Sequence, residues 1–267
     1  MTKAQKTIKY LALGLAALLI LAMVSSVFRI VLFLFGEEST TEELSAVEIE
    51  GEYDALALDL SATSLRIQIG ETFAVKTNHK NLTFDVEDGV LSVKEKKHRP
   101  FEEREDPLLI LTVPEEFSFR SVEVSIGAGD VSVEALRADR IDFEFGAGEV
   151  RIERLIAESA ANIEGGAGKL VIGGVLRDLD LDMGVGELDL NAELLGNASI
   201  DCGIGEAKIT LLGDAENYTF NMSKGIGEVT LNGEALTDGM SVGNGSVRVS
   251  VSGGIGAIRI LTEEKSS

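Results

Sequence analysis

Five acidic residues recur at one place in this sequence, each directly behind a Gly-x-Gly unit: Asp130, Glu149, Glu187, Glu206 and Glu228. Carboxylates brought into register supply the hard oxygen ligands that a divalent cation such as Ca²⁺ takes. Left in water, the same column is a solvated edge whose like charges splay apart. Lys169 interrupts the series, and GAGDVSV lacks the nine-residue period of calcium-binding repeats. The solvated edge takes precedence, so no metal site is assigned.

Other reactive groups are few. His79 and His98 fall in separate charged stretches, with no metal-ligand spacing to each other or to Cys202. Cys202 follows Ile200 at an inward position of an alternating run, the place of a packed thiol rather than a nucleophile. GGAGKL (165–170) lacks the glycine spacing and the Ser/Thr of a phosphate-binding loop. Among 45 acidic residues some pairs fall close by chance, so no carboxylate pair for glycan cleavage is nominated. A single cysteine excludes an internal disulfide framework. Neither a catalytic residue nor a cofactor site is assigned.

The elements that hold these groups follow from the repeat. Gly-x-Gly units open at Gly127, Gly146, Gly166, Gly184, Gly203, Gly225, Gly243 and Gly254, at spacings of 19, 20, 18, 19, 22, 18 and 11 residues. Their second glycines are Gly129, Gly148, Gly168, Gly186, Gly205, Gly227 and Gly245, with Gly256 in the last unit. Aliphatic residues alternate with period two on both sides, as in a strand with one buried face. The parity changes across each unit: Val124 and Ile126 hand over to Val131 and Val133, Leu181 and Met183 to Leu188 and Leu190. Both flanks keep facing one core only if the chain bends at that point, and glycine tolerates such a bend. The pattern predicts an all-β, single-stranded parallel β-solenoid of about 19 residues per coil over 121–262, in preference to a hairpin meander. The first seven corners are therefore expected to stack in chain order. Strand-like runs over 44–120 are expected to form irregular first rungs or an N-terminal β cap. Residues 94–106, dense in both charge signs, are expected to protrude as a loop.

Residues 10–35 are almost wholly apolar, and as a helix they would span about 39 Å against a bilayer core of about 30 Å. Lys3, Lys6 and Lys9 precede them, in a basic tail over 1–9. Glu37, Glu38, Glu42 and Glu43 follow, in a linker over 36–43. The positive-inside bias predicts an uncleaved transmembrane helix with its N-terminus in the cytoplasm, and the rest outside up to a short tail at 263–267. Arg29 is expected to snorkel to the outer interface. The net charge is −21. Residues 1–36 hold four basic and no acidic groups, so the remainder carries −25. Such a field repels nucleic acid and anionic lipid and attracts cations or basic partners.

The runs DALALDLSATSLRIQIG, FDVEDGVLSV and LLILTVPEEFSFRSVEVSIGAGDVSVEAL, followed by Gly-x-Gly-acid units, resemble the bacterial adhesin-like β-strand-repeat domains of unknown function. These are related to the toast-rack domains of envelope-stress membrane proteins. The resemblance covers about 50–262, and Thr112, Val113 and Pro114 ahead of the first Gly-x-Gly-Asp are its most specific mark. It implies a β-solenoid on the extracytoplasmic side of a bacterial membrane and supplies no catalytic residues. The function expected is a membrane-anchored, non-catalytic binding or adhesin-like surface. Its partner would be a protein, a wall polymer or an identical copy. A regulatory membrane subunit in envelope-stress signalling and a polysaccharide-acting β-helix enzyme stand as alternatives.

Overall fold

The computed structural model describes residues 44–96 and 106–264. The expected transmembrane helix at 10–35 lies outside them, as do His98 and most of the charged loop. Among the described residues no helix is long and apolar enough to cross a membrane.

Among the described residues thirteen strands make the fold: β1 (Ser45–Val47), β2 (Ala55–Leu60), β3 (Ser64–Gly70), β4 (Ala74–Thr77), β5 (Leu82–Glu87), β6 (Val90–Glu95), β7 (Leu108–Pro114), β8 (Phe119–Ala128), β9 (Val131–Leu212), β10 (Tyr218–Leu231), β11 (Glu234–Ala235), β12 (Ser241–Gly243) and β13 (Val247–Glu263). The 82 residues of β9 are one extended run that coils repeatedly on itself. Each coil has a strand, a glycine corner and a return strand. β8 stacks in parallel on the next coil with Val124 opposite Phe143 and Ile126 opposite Phe145, an offset of 19 residues. The fold is therefore a parallel β-solenoid.

The alternating residues fill one spine between the two walls of the coil. Val124, Ile126, Val131 and Val133 are buried in one coil, Ile141, Phe143, Val150 and Ile152 in the next, and Leu181, Leu188 and Leu190 further along. Burying an aliphatic side chain of this size contributes about 1.5–3 kcal/mol.

Stacking departs from chain order at both ends. β13 pairs in parallel with the last coil of β9, Ile255 beside Ile204, and β10 pairs on the far side of β13, Ile226 beside Ile255. The last strand is thus wedged between two earlier ones. At the other pole β2 and β3 lie between β6 and β7 on one side and β8 and β9 on the other. Antiparallel strands then close the poles: β5 on β6, β4 on β7 and β1 on β4 at one end, β11 and β12 on β10 at the other. A ring cluster of Tyr53, Phe73, Phe117 and Phe119, edge to face with centroids 4.6–6.2 Å apart, packs near the first pole.

One expectation is corrected here. Gly243 and Gly245 do not form a corner of the stack. Gly243 ends β12, antiparallel to Thr219, and Gly245 lies against Asn217 and Tyr218. Gly254 and Gly256 take the corner place, between those of Gly203–Gly205 and Gly225–Gly227. The short final spacing of 11 residues is what a capping strand leaves, since it contributes no coil.

Candidate functional site

The glycine corners make a continuous edge. A Cβ at Gly146 would run into the Gly127 backbone, one at Gly166 into Gly146, at Gly184 into Gly166, at Gly203 into Gly184, at Gly254 into Gly203 and at Gly225 into Gly254. The second glycines form a parallel row, Gly129, Gly148, Gly168, Gly186, Gly205, Gly256 and Gly227, all at φ between +136° and +153°. This backbone region is nearly closed to other residues, which answers the parity change seen in the sequence.

The acidic column is real as a placement but is neither continuous nor unneutralised. In stack order its positions are Asp130, Glu149, Lys169, Glu187, Glu206, Ala257 and Glu228. Asp130 Oδ1 accepts the Glu149 amide at 3.2 Å. Lys169 pairs with Glu187 at 3.4 Å, Arg151 with Glu149 at 3.3 Å and Arg259 with Glu206 at 3.3 Å. Among the described residues no three acidic, His or Cys side chains converge as a cation cage would need.

Two features beside that column escaped the sequence reading. The residue between the glycines grows along the stack from Ala128, Ala147 and Ala167 to Val185, Ile204, Ile255 and Ile226. The last four are 42%, 51%, 51% and 74% exposed, and they are four of the six exposed large apolar side chains among the described residues. Isolated exposed apolar residues are ordinary, but a contiguous row marks an interaction surface. With glycine on each side, the row stands as a ridge between two bare backbone furrows. One furrow is a hollow of about 20 Å³ lined by Cys202, Lys224, Ile226 and Ile255.

The second feature lies on the opposite side of the ridge from the acidic column. Glu144, Glu164, Asp182 and Asp201 each stand two residues before a corner, on the outward face of successive coils. The ion pairs among the described residues lie elsewhere. Burial, then the Asp201 and Asp180 carboxylates, raise the Asp182 carboxyl above its ordinary value. Burial, then Asp201 and Asp182, push the Cys202 thiol up to about 11. Cys202 packs against the core, as its parity implied.

Glu95 was also missed. It continues the inward parity of Leu91 and Val93 into the place where the first glycine-free corner, Ser61–Thr63, needs partners. Its Oε2 accepts the amides of Ser61 at 2.8 Å and Ala62 at 3.0 Å and the Thr63 hydroxyl at 2.9 Å. His79 Nε2 lies 3.6 Å from Oε1, with the two side chains 11% and 2% exposed. His79 is therefore tucked against this carboxylate rather than standing in an open charged loop. Burial pushes the Glu95 carboxyl up, but the Ala62 amide, Thr63 hydroxyl, Ser61 amide and His79 charge together hold it below its ordinary value.

A sequence model of the Toastrack DUF4097 family matches residues 53–258. The chain belongs to that family. Among solved structures, this Toastrack protein resembles a candidate adhesin from Bacteroides fragilis, with 12% identity, 81% of this chain and 95% of the other covered, and a TM-score of 0.53. At that identity the likeness is one of fold. A candidate cell adhesion protein from Clostridium sporogenes aligns at 16% identity over 83% and 99% of the two chains, with a TM-score of 0.37. A candidate adhesin from Parabacteroides merdae aligns at 12% identity over 84% and 96%, with a TM-score of 0.36. No curated protein matches the chain.

Proposed function

We propose that this Toastrack protein is held in a bacterial cytoplasmic membrane by the apolar segment at 10–35 and works outside it as a non-catalytic, adhesin-like binding surface. The observation that carries the proposal is the exposed row of Val185, Ile204, Ile255 and Ile226, in register on a rigid glycine edge. A row of aliphatic side chains held in water costs solubility unless something covers it. The adhesin name of the Bacteroides fragilis structure that shares this fold supports a surface role. The two described hollows, about 20 and 100 Å³, are small beside the roughly 300–1,000 Å³ of a small-molecule site. The partner proposed is a protein or wall polymer.

Two experiments test this. A reporter active only outside the cytoplasm, fused after Ser267, is expected to report activity in cells. The intact chain in detergent is expected to retain a discrete envelope partner through affinity capture. An inactive reporter, or turnover of envelope glycans by the purified chain, would overturn the proposal.

A further inference from the structure

We propose that the Val185–Ile204–Ile255–Ile226 ridge docks a cationic polypeptide segment, one in which aliphatic side chains alternate with lysine or arginine. The inference rests on the surface-binding role above and names the partner's chemistry.

The ridge itself sets the apolar part of the partner. Ile226 lies beside Ile255 and Ile255 beside Ile204, one rung apart each, so with Val185 the row runs about 14 Å. An extended segment places side chains of one face about 7 Å apart, so two or three aliphatic residues match that length. The glycine furrows let them descend beside the isoleucines toward the backbone, past Cys202 and Lys224 in the furrow those two line.

The flanks set the charge. Asp182 and Asp201 stand on one side of the ridge and Glu187, Glu206 and Glu228 on the other. Glu187 and Glu206 have basic neighbours in Lys169 and Arg259, whereas Asp182 and Asp201 face each other and Asp180. An occupant with basic residues beside its apolar ones relieves that repulsion. The same field argues against a second copy, which would bring acid against acid at a net charge of −21, and against nucleic acid or anionic lipid. The cap leaves this place open: it reaches Lys224 through Asp238 and Val229 through Leu236, and among the described residues β11 and β12 pair with neither Ile226 nor Gly227.

The test uses the full chain in zwitterionic lipid nanodiscs, with empty nanodiscs as control. Fluorescent synthetic peptides alternating Lys with Leu, Lys with Gly and Glu with Leu are titrated by anisotropy. The Lys–Leu peptide is expected to bind, the Lys–Gly peptide at least tenfold more weakly, and the Glu–Leu peptide not at all. The triple variant Ile204→Ser, Ile226→Ser, Ile255→Ser is expected to lose at least tenfold in affinity. Asp182→Asn with Asp201→Asn is expected to weaken binding and flatten its salt dependence. These side chains are outward, and unchanged melting of each variant shows that the fold is intact. Equal binding of Lys–Gly and Lys–Leu peptides, or an unaltered triple variant, overturns the inference. So does a concentration-dependent dimer that the triple variant abolishes. If the triple variant still captures the envelope partner of the wild type, the ridge assignment falls and the surface-binding role stands. If the reporter after Ser267 is inactive, that role falls whatever the peptides do.

Discussion

Replacing Gly205 by alanine tests the stacked corner most directly. Gly205 sits at φ +142°, and its Cβ would stand 2.8 Å from the carbonyl carbon and 3.1 Å from the amide nitrogen of Gly186, and closer still to the carbonyl oxygen. Ordinary contact begins near 3.4 Å, and the obstacle is backbone rather than a side chain that can swing away. Two costs add. Holding a residue with a Cβ at that φ is worth about 1–3 kcal/mol. Spreading the rungs loosens at least one flanking backbone hydrogen bond, worth about 1 kcal/mol. Gly205→Ala is therefore expected to destabilise by about 2–4 kcal/mol. Gly233 is the matched control: its φ is +86°, but nothing lies within 4 Å of the added Cβ. Gly233→Ala bears only the conformational cost, about 1 kcal/mol. Urea unfolding followed by circular dichroism, with both variants at matched denaturant slopes, reads the difference. If the two variants unfold within about 0.5 kcal/mol of each other, the corners do not stack glycine on glycine and the reasoning fails.

Glu95→Gln is expected to cost about 2 kcal/mol at neutral pH, because the carboxylate accepts two amides and a hydroxyl. Its folded value lies below the ordinary 4.5, so this contribution is complete above pH 4.5 and fades as the pH falls through the folded value. Denaturation curves should show the gap between wild type and variant closing in acid, and a gap that stays constant down to pH 3 would contradict the assignment. The Cys202 thiol, pushed up to about 11, is expected to react slowly with a disulfide reagent at pH 8 and promptly once the chain is unfolded in urea. Equal rates in the two states would refute its packing. Leu190→Ala is expected to cost about 2–5 kcal/mol as a core truncation, while Ile226→Ala, 74% exposed, should change stability by less than about 0.5 kcal/mol. A melting experiment in which Ile226→Ala proves as damaging as Leu190→Ala would move the ridge into the core.

The amino-acid order alone determined the coil. Period-two aliphatics, a parity change and a glycine pair every 19 residues or so favour a coil over a hairpin meander, because a strand that bends to keep both flanks on one core does so most readily at a residue free of Cβ. The inward place of Cys202 followed from the same parity. Only the tertiary structure decided the order of the rungs. Parallel strands of like pattern are interchangeable in hydrogen bonding and core-facing side chains, so nothing local to 247–263 says that it enters between 197–212 and 218–231. Gly243 and Gly245 carried the corner pattern yet became part of a cap, because an end rung needs its edge covered more than it needs another coil. The ridge was written in the sequence as Ala, Ala, Ala, Val, Ile, Ile, Ile once the rungs are placed in spatial order. Its exposure depends on what stacks beside it, and the pairing of Glu95 with residues 61–63 depends on a coil closing across more than 30 positions, so neither could be read along the chain.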